Sequence, residues 1–326
     1  MSRRHSTKSR VTRFPKEKTD RPKPSNKLTT FTANNLQAME FPPLEFVVEG
    51  LITEGLTLLA GKPKMGKSWM ALDLAMSVAI GCEALCDRAC KKGATLYCAL
   101  EDNPRRLRRR MIKNYGDQTS WPENFHFSIQ MNKLDDGGLE QLEDFIEEHR
   151  PSLIIIDTLV CVRPKVKGKN EYEADYAALS PLQRLAGEHG IAIIVIHHLR
   201  KMSGDDPLDM VSGTTGLTGS VDNVLVLDRK GDGATLYGRG REMQNIDVAV
   251  ELDDGLWRIL GDTDTVRISS ERRSIIDLLR KTGKPMGPKE IAEALKWQQE
   301  NVRQLLLSMA TKGEVKKPRR GKYELP

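Results

Sequence analysis

The feature that most constrains the fold is the octapeptide at residues 61–68, GKPKMGKS, which has the pattern G-x-x-x-x-G-K-S. A short apolar run at residues 55–60 precedes it, and a run with helical apolar spacing at residues 69–80 follows it. Glycines allow backbone N–H groups to approach a phosphate closely, and a helix N-terminus adds favourable partial positive charge. The octapeptide in this setting predicts a phosphate-binding loop between a strand and a helix.

Two side chains of this loop have distinct predicted roles. The lysine of such a loop contacts the β- and γ-phosphates, and the hydroxyl residue after it binds Mg²⁺, so these roles fall to Lys67 and Ser68. A nucleoside triphosphate and Mg²⁺ are therefore the expected ligands, and the resemblance described below makes ATP the expected cofactor. The residues predicted to contact the nucleotide are Gly61, Lys62, Pro63, Lys64, Met65, Gly66, Lys67, Ser68 and Trp69.

Two carboxylates follow apolar strands further along the chain. Asp157 ends the run SLIIID, about 95 residues after the loop, where it can bind Mg²⁺ directly or through water. Glu101 follows the run ATLYCAL, where a carboxylate can polarise an attacking water. An alternative is that Glu101 or Asp102 caps the helix that begins near Asn103, and both interpretations can hold together.

The order of apolar runs predicts an α/β fold. Near-continuous runs at residues 55–60, 94–100, 152–157 and 191–197 are separated by helical stretches, which is typical of a mainly parallel sheet covered by helices. Three strand-like runs at 221–228, 233–238 and 247–252 indicate an extension of the sheet at its late edge. Helical stretches at 271–282, 287–295 and 298–313, with a basic ending, predict a small winged helix-turn-helix.

These patterns divide the chain into three predicted parts: a disordered basic tail at 1–35, an ATPase domain at 36–266 and the winged helix at 267–326. Residues 1–27 carry ten Lys or Arg and two acidic residues, and since the whole chain has a net charge of +6, the remainder is slightly acidic. The tail is too polar to bury a core, and it serves either as a solubilising extension or as an electrostatic contact with nucleic acid.

Composition excludes several protein classes. No run of 18 apolar residues occurs, so a transmembrane protein and a membrane partner are not expected. Five cysteines in 326 residues do not make a disulfide scaffold, and reduced thiols in a cytoplasm are expected. Cys82, Cys86 and Cys90 lack the close pairs and the fourth ligand that are typical of zinc or iron–sulfur sites.

Five segments together resemble a known family. In order, these are GKPKMGKS, CALEDNPRRLRRR, LIIIDT, IVIHHLRK and SGTTGLTGSVDNVLVL. They resemble the RecA-like ATPases, and most closely the RepA-type hexameric replicative helicases of plasmids and phages, a branch near the DnaB helicases. The resemblance covers about residues 40–260. It implies a DNA helicase that hydrolyses ATP between the subunits of a hexamer and holds single-stranded DNA in its channel.

The resemblance also implies roles for single residues. Glu101 would be the catalytic glutamate, and His197 or its neighbour His198 would sense the γ-phosphate, although a histidine pair after a strand is also common as a capping or surface pair. The loop at 199–219 would touch the DNA backbone through Arg200, Lys201 and the amides of 213–219. Arg239 and Arg241 would be arginine fingers supplied to a neighbouring subunit, the alternative being a hairpin with solvated arginines.

Alternatives remain open for the C-terminal part and for the whole chain. The helix at residues 298–312 and the wing at 316–322, with six Lys or Arg counting Lys312, favour contact with duplex DNA, but a mixed charge pattern on that helix also suits protein docking. The whole chain could instead be a nucleotide-switched DNA-binding regulator of replication or transcription. A third possibility is an assembly ATPase similar to KaiC or RadA that does not unwind DNA.

Overall fold

The computed structural model describes residues 30–40, 45–164, 171–199, 211, 216–230 and 233–326. The chain divides into two compact units, Met1–Pro43 and Leu44–Pro326. The described residues of the first unit contain the helix α1 at Ala33–Ala38, which therefore begins inside the segment predicted to be disordered. The reason is a capping box, in which Thr32 and Asn35 satisfy each other's backbone N–H groups. Residues 1–29 of the predicted tail lie outside the described residues.

The second unit contains the remaining elements. Its strands are β1 (Phe46–Val48), β2 (Ile52–Thr53), β3 (Gly55–Gly61), β4 (Ala94–Ala99), β5 (Phe125–Ser128), β6 (Pro151–Asp157), β7 (Ala192–His198), β8 (Asn223–Lys230), β9 (Gly233–Gly240), β10 (Ile246–Asp253), β11 (Leu256–Asp262), β12 (Lys316–Arg319) and β13 (Lys322–Glu324). Its helices are α2 (Lys67–Ile80), α3 (Pro104–Tyr115), α4 (Leu139–His149), α5 (Leu159–Val162), α6 (Glu171–His189), α7 (Gly216–Gly219), α8 (Thr263–Thr282), α9 (Pro288–Leu295) and α10 (Gln299–Thr311).

Nine strands form one large sheet in the order β11-β10-β9-β8-β3-β7-β6-β4-β5. The six strands from β8 to β5 run parallel, whereas β9, β10 and β11 continue the sheet in antiparallel pairs. This confirms the predicted α/β class with a mainly parallel sheet. In a parallel sheet all strands end at one edge, so the residues that follow β3, β4, β6 and β7 are brought together there.

Helices cover both faces of the sheet, and alternate strand residues divide between two cores. Leu59 and Ile155 belong to the core beneath α2 and α3, while Leu58 and Ile154 belong to the core beneath α4 and α6. Central strands of this kind are buried on both sides, which explains why their sequences are continuous apolar runs.

The C-terminal helices α8, α9 and α10 and the β12–β13 hairpin enclose a third core. Its buried residues are Ile275, Leu279, Ile291, Ala292, Val302, Leu306, Met309, Val315 and Tyr323. The helix α8 begins eight residues before the predicted start, because it follows β11 directly and is capped by Asp262, which accepts from the Thr265 backbone N–H at 3.0 Å. The strand β11 was itself missed among the strands predicted after residue 221.

Two further findings concern the described part of the chain. None of its helices is both long enough and apolar enough to cross a bilayer. Its five cysteines are free thiols, and the same residues include no group of three or more His, Cys, Asp or Glu placed to hold a metal ion.

Candidate nucleotide site at the carboxyl edge of the sheet

The phosphate loop connects β3 to α2 and depends on two glycines. Gly66 lies at the N-cap of α2 with φ of 94°, a left-handed conformation that favours glycine. A Cβ atom on Gly61 would lie 2.7 Å from the Leu227 carbonyl oxygen in β8, so no side chain fits there. The two glycines thus fix where the strand ends and where the helix N-terminus begins.

Lys67 is held at the base of this loop. Its side chain is only 4% exposed, and Nζ donates to the carbonyl oxygens of Gly61 at 2.7 Å and Lys62 at 2.8 Å. Burial lowers the pKa of Lys67 to about 8, although the nearby carboxylates of Asp157 and Glu101 favour its charged form. An ammonium group that is partly stripped of water interacts strongly with an anion, which suits a phosphate contact.

Asp157 ends β6 and is buried beside the loop. Its Oδ2 accepts a hydrogen bond from the Tyr97 hydroxyl at 2.8 Å, and the Ser68 hydroxyl also hydrogen-bonds to this carboxylate. Burial raises the pKa of Asp157, and these hydrogen bonds oppose that effect. A hydroxyl and a carboxylate in contact are the oxygen ligands that Mg²⁺ uses in nucleotide sites, where phosphates and water complete its coordination. Ser68 and Asp157 therefore fit a magnesium ion bound with a nucleotide.

Glu101 follows β4 and its side chain is half exposed at the same edge. Its Oε1 accepts from the Thr158 hydroxyl at 3.2 Å, and its Oε2 lies 3.8 Å from His198 Nε2. The helix-capping role belongs to the next residues along the chain, because Asn103 accepts from the Arg106 backbone N–H and Asp102 pairs with Arg106 and Arg110. The carboxylate of Glu101 is therefore not used to cap the helix.

Other predicted residues take different places. His198 is the histidine of the pair that lies near Glu101, while His197 is paired in register with Ala60 of β3. The Trp69 side chain lies against α3, with Arg110 Cζ 5.1 Å and Lys113 Nζ 5.7 Å from its ring. Lys62, Pro63 and Lys64 are exposed on the loop.

The structure does not bring Arg239 and Arg241 to this site within one chain. Arg239 in β9 pairs with Val224 in β8, which in turn pairs with Leu58 in β3. Arg239 therefore lies level with Leu58, which is three residues, or about 10 Å, before the end of β3. Arg241 lies further back, with Nη1 3.5 Å from Asp222 Oδ1. The other Asp222 oxygen accepts from the Leu56 backbone N–H at the start of β3.

The predicted DNA-contacting loop at 199–219 can be placed only in part. Arg200, Lys201 and the residues 212–215 lie outside the described residues. Leu199 and Leu217 at either side of the loop are buried in the core beneath α6.

Sequence reasoning missed Tyr97, which is fully buried in β4. Burial raises the pKa of its hydroxyl well above the ordinary value, and the neighbouring Asp157 carboxylate adds to this, so the hydroxyl stays protonated and donates. The sequence did indicate such a residue, because a tyrosine in the middle of the apolar run ATLYCAL is expected to be buried and to need a hydrogen-bond partner for its hydroxyl.

Comparisons with known proteins bear on the family and the fold of the chain. Residues 21–204, more than half of the chain, match an AAA domain family. A search of curated proteins found no match. Among solved structures, a DnaB-like replicative helicase, solved in a study of its interactions with primase, is similar with a TM-score of 0.52 and 13% identity over 67% of this chain and 62% of the helicase.

A KaiC-like protein from the hyperthermophilic archaeon Pyrococcus horikoshii OT3 has a TM-score of 0.46 and 17% identity, over 65% of this chain and 93% of that protein. The likeness to the helicase concerns the fold, since the sequence identity is low. Together with the family match and the loop between β3 and α2, it shows that the chain belongs to the AAA domain family and has the fold of a RecA-like P-loop ATPase.

Proposed function

We propose that the chain is an ATP hydrolase that acts as a DNA helicase or DNA-translocating ATPase in the replication of a plasmid, phage or mobile element. In this proposal six copies form a ring of the RepA type, with ATP bound between subunits. The observation that carries it is the convergence of Lys67, Ser68, Asp157 and Glu101 at one edge of the sheet. The fold shared with a DnaB-like helicase also supports it.

Each side chain has a defined task in hydrolysis. ATP with Mg²⁺ supplies the phosphoanhydride bond and the metal charge on which the site acts. Lys67 neutralises charge on the phosphates, and Ser68 and Asp157 hold the metal while Tyr97 orients the Asp157 carboxylate. Glu101, oriented by Thr158, takes a proton from the attacking water. The water oxygen then bonds to the γ-phosphorus as the bond to the bridging oxygen of ADP breaks.

The neighbouring subunit completes the site in this proposal. Arg239 lies two strands away from β3 and level with its middle, and Arg241 lies nearer its start, so neither is brought to the phosphate loop of its own chain. A neighbour packed head to tail can present that region to the loop, and a guanidinium there would offset the charge on the transferred phosphoryl group. His198, 3.8 Å from Glu101, is the residue that we assign as γ-phosphate sensor.

The test is the ATPase rate with and without single-stranded DNA, measured on particles whose mass is determined at the same concentration. We expect a hexamer whose rate rises several-fold with single-stranded DNA and which displaces a strand from a forked duplex. An assembled, ATP-hydrolysing particle that neither responds to single-stranded DNA nor displaces a strand would contradict the motor and favour an assembly ATPase.

A nucleotide-switched DNA-binding regulator is the second candidate, and the C-terminal helices favour it. They have their own core, and we propose that residues 267–326 form a winged helix. Exposed Lys316, Lys317 and Arg319 lie on the hairpin that would serve as the wing. The quadruple change of Lys316, Lys317, Arg319 and Arg320 to Glu in the full chain should abolish protection of duplex DNA in footprinting. Unchanged protection would mean that the hairpin contacts something else.

A further inference from the structure

The phosphate loop is covered by a late segment of its own chain. The strands β10 and β11 form a hairpin in which Asp253 pairs with Leu256 around Asp254 and Gly255. Trp257, at the start of β11, is 2% exposed, and its Nε1 donates to the Gly66 carbonyl oxygen at 3.0 Å. A Cβ atom on Gly66 would lie 2.9 Å from Leu252 Cδ2 and 3.0 Å from Trp257 Cζ2. The hairpin therefore rests directly on the last residue of the loop.

The Gly66 carbonyl is the point at which the loop turns into α2. It also accepts from the backbone N–H groups of Trp69 at 3.0 Å and Met70 at 3.1 Å, which are the first hydrogen bonds of the helix. A third donor from Trp257 fixes the orientation of this peptide. Because loop amides must all face the phosphates, the orientation of one peptide at the loop's end influences how well the whole loop is preorganised.

The turn of the hairpin is anchored on the helix that follows Glu101. The Gly255 carbonyl oxygen accepts from Asn114 Nδ2 at 3.0 Å, and Asp254 forms an ion pair with Lys113. That ion pair is exposed and contributes little. The buried indole of Trp257 and the hydrogen bond from Asn114 therefore hold the hairpin against α2 and α3. The hairpin thus spans α2 and α3, the two helices that begin beside the candidate site.

The same strand leads directly into the C-terminal helices. The last residue of β11, Asp262, is the N-cap of α8, and α8 packs against both β10 and β11. A strand that touches Gly66 near one end and continues into α8 at the other joins the loop to the C-terminal part through one continuous stretch of chain.

We propose that Trp257 is a positioning residue for the phosphate loop, and that β11 transmits occupancy of the loop to α8. This inference rests on the proposed function in so far as the ligand is a nucleotide. It assigns to the hairpin a role in nucleotide affinity and in communication with the C-terminal helices, beyond its place at the edge of the sheet.

The test uses Trp257→Phe in the full chain, which keeps a ring but removes the indole N–H. The matched control is Trp121→Phe, because Trp121 Nε1 also donates to a glycine carbonyl, that of Gly116 at 3.1 Å, away from the loop. Equilibrium titration with a fluorescent, non-hydrolysable ATP analogue and Mg²⁺ should show about fivefold weaker binding for Trp257→Phe than for the wild type. The control Trp121→Phe should bind the analogue as tightly as the wild type. In steady-state assays KM should rise while kcat stays within about twofold.

Hydrogen exchange gives a readout that does not depend on activity. Without nucleotide, the peptide that covers residues 61–69 should exchange faster in Trp257→Phe than in the wild type. Saturating analogue should slow exchange in residues 263–282 of the wild type but not of the variant. Should Trp257→Phe fail to fold, Leu252→Ala, at a position 39% exposed, should produce the same changes to a smaller extent.

Unchanged loop exchange in a folded Trp257→Phe would overturn the positioning role, and equal protection of residues 263–282 in both proteins would overturn the transmission. A wild type that binds no nucleotide would instead contradict the proposed function. The two failures are distinguishable, because exchange of the loop is measured without nucleotide.

Discussion

Lys67 shows how burial tunes a single residue for its task. Two loop carbonyls hold its ammonium group in a buried site. Burial there lowers the pKa of Lys67 to about 8, which is close to physiological pH. A bound phosphate favours the protonated form, and the proton on Lys67 is thus linked to nucleotide affinity.

The first prediction concerns the pH dependence of this linkage. The affinity for nucleotide is highest when Lys67 is charged, and it falls as the pH rises through about 8. The Kd for MgADP, measured by calorimetry, should be about tenfold higher at pH 9 than at pH 7. Lys67→Arg, which stays charged over this range, is the control and should show a much flatter dependence. Equal slopes for both proteins would show that another group is responsible.

The second prediction tests Glu101 as the group that activates water. Glu101→Gln keeps the size of the side chain and the bond from Thr158 but cannot take a proton. It should bind ATP within about threefold of the wild type and lower kcat by at least about a hundredfold. Asp102→Asn, in the adjacent helix-capping carboxylate, is the control and should retain most of the turnover. Near-normal turnover in Glu101→Gln would place the base elsewhere.

At the level of elements, the sequence predicted the sheet better than it predicted the hairpin on top of the loop. Apolar runs such as SLIIID are buried on both faces, so their pattern leaves little choice of structure. In β11, by contrast, the apolar residues do not follow the alternation of exposed and buried positions, because Leu260 is 50% exposed, and its ladder to β10 has a bulge near Ala249. The Asp254–Gly255 dipeptide is a strong hairpin signal that could have revealed it.

The part of the candidate site that consists of motif residues was likewise predictable from the sequence. Lys67, Ser68, Asp157 and Glu101 follow strands in a recognisable order, and parallel strands end at one edge. Trp257 could not be assigned from local pattern, because its contact with Gly66 joins residues 191 positions apart and depends on how the antiparallel strands extend the sheet.

The third prediction concerns the junction between α2 and the segment after it. Asp73 is buried, and its Oδ2 accepts from the Leu85 backbone N–H at 3.0 Å. Burial raises the pKa of Asp73 to about 6. The folded protein therefore binds a proton more tightly than the unfolded chain, and the stability that this supplies below pH 4 is lost as the pH rises through about 6.

Asp73→Asn keeps an acceptor for Leu85 and removes the ionisation. The difference in unfolding free energy between variant and wild type should shift in favour of the variant by about 2 kcal/mol between pH 4 and pH 7.5. Urea unfolding at both pH values measures this. A difference that does not change with pH would show that folding does not raise the pKa of Asp73.

At the scale of the whole molecule, the proposed arginine fingers require an assembly. One chain brings Lys67, Asp157 and Glu101 together, but it holds Arg239 level with the middle of β3 and Arg241 nearer the start of that strand. A site that needs both groups can form only between copies, and the head-to-tail contact that this requires closes into a ring when the rotation between copies permits.

The most direct test of a shared site is the ATPase rate of mixed particles. Lys67→Ala and the double variant Arg239→Ala/Arg241→Ala should each be inactive alone, because every interface then lacks one required group. Random mixing at equal amounts gives about a quarter of interfaces an intact lysine and an intact arginine pair. The mixture should therefore regain about a quarter of the wild-type rate, whereas a mixture as inactive as its components, although mixed particles form, would contradict hydrolysis completed by a neighbour.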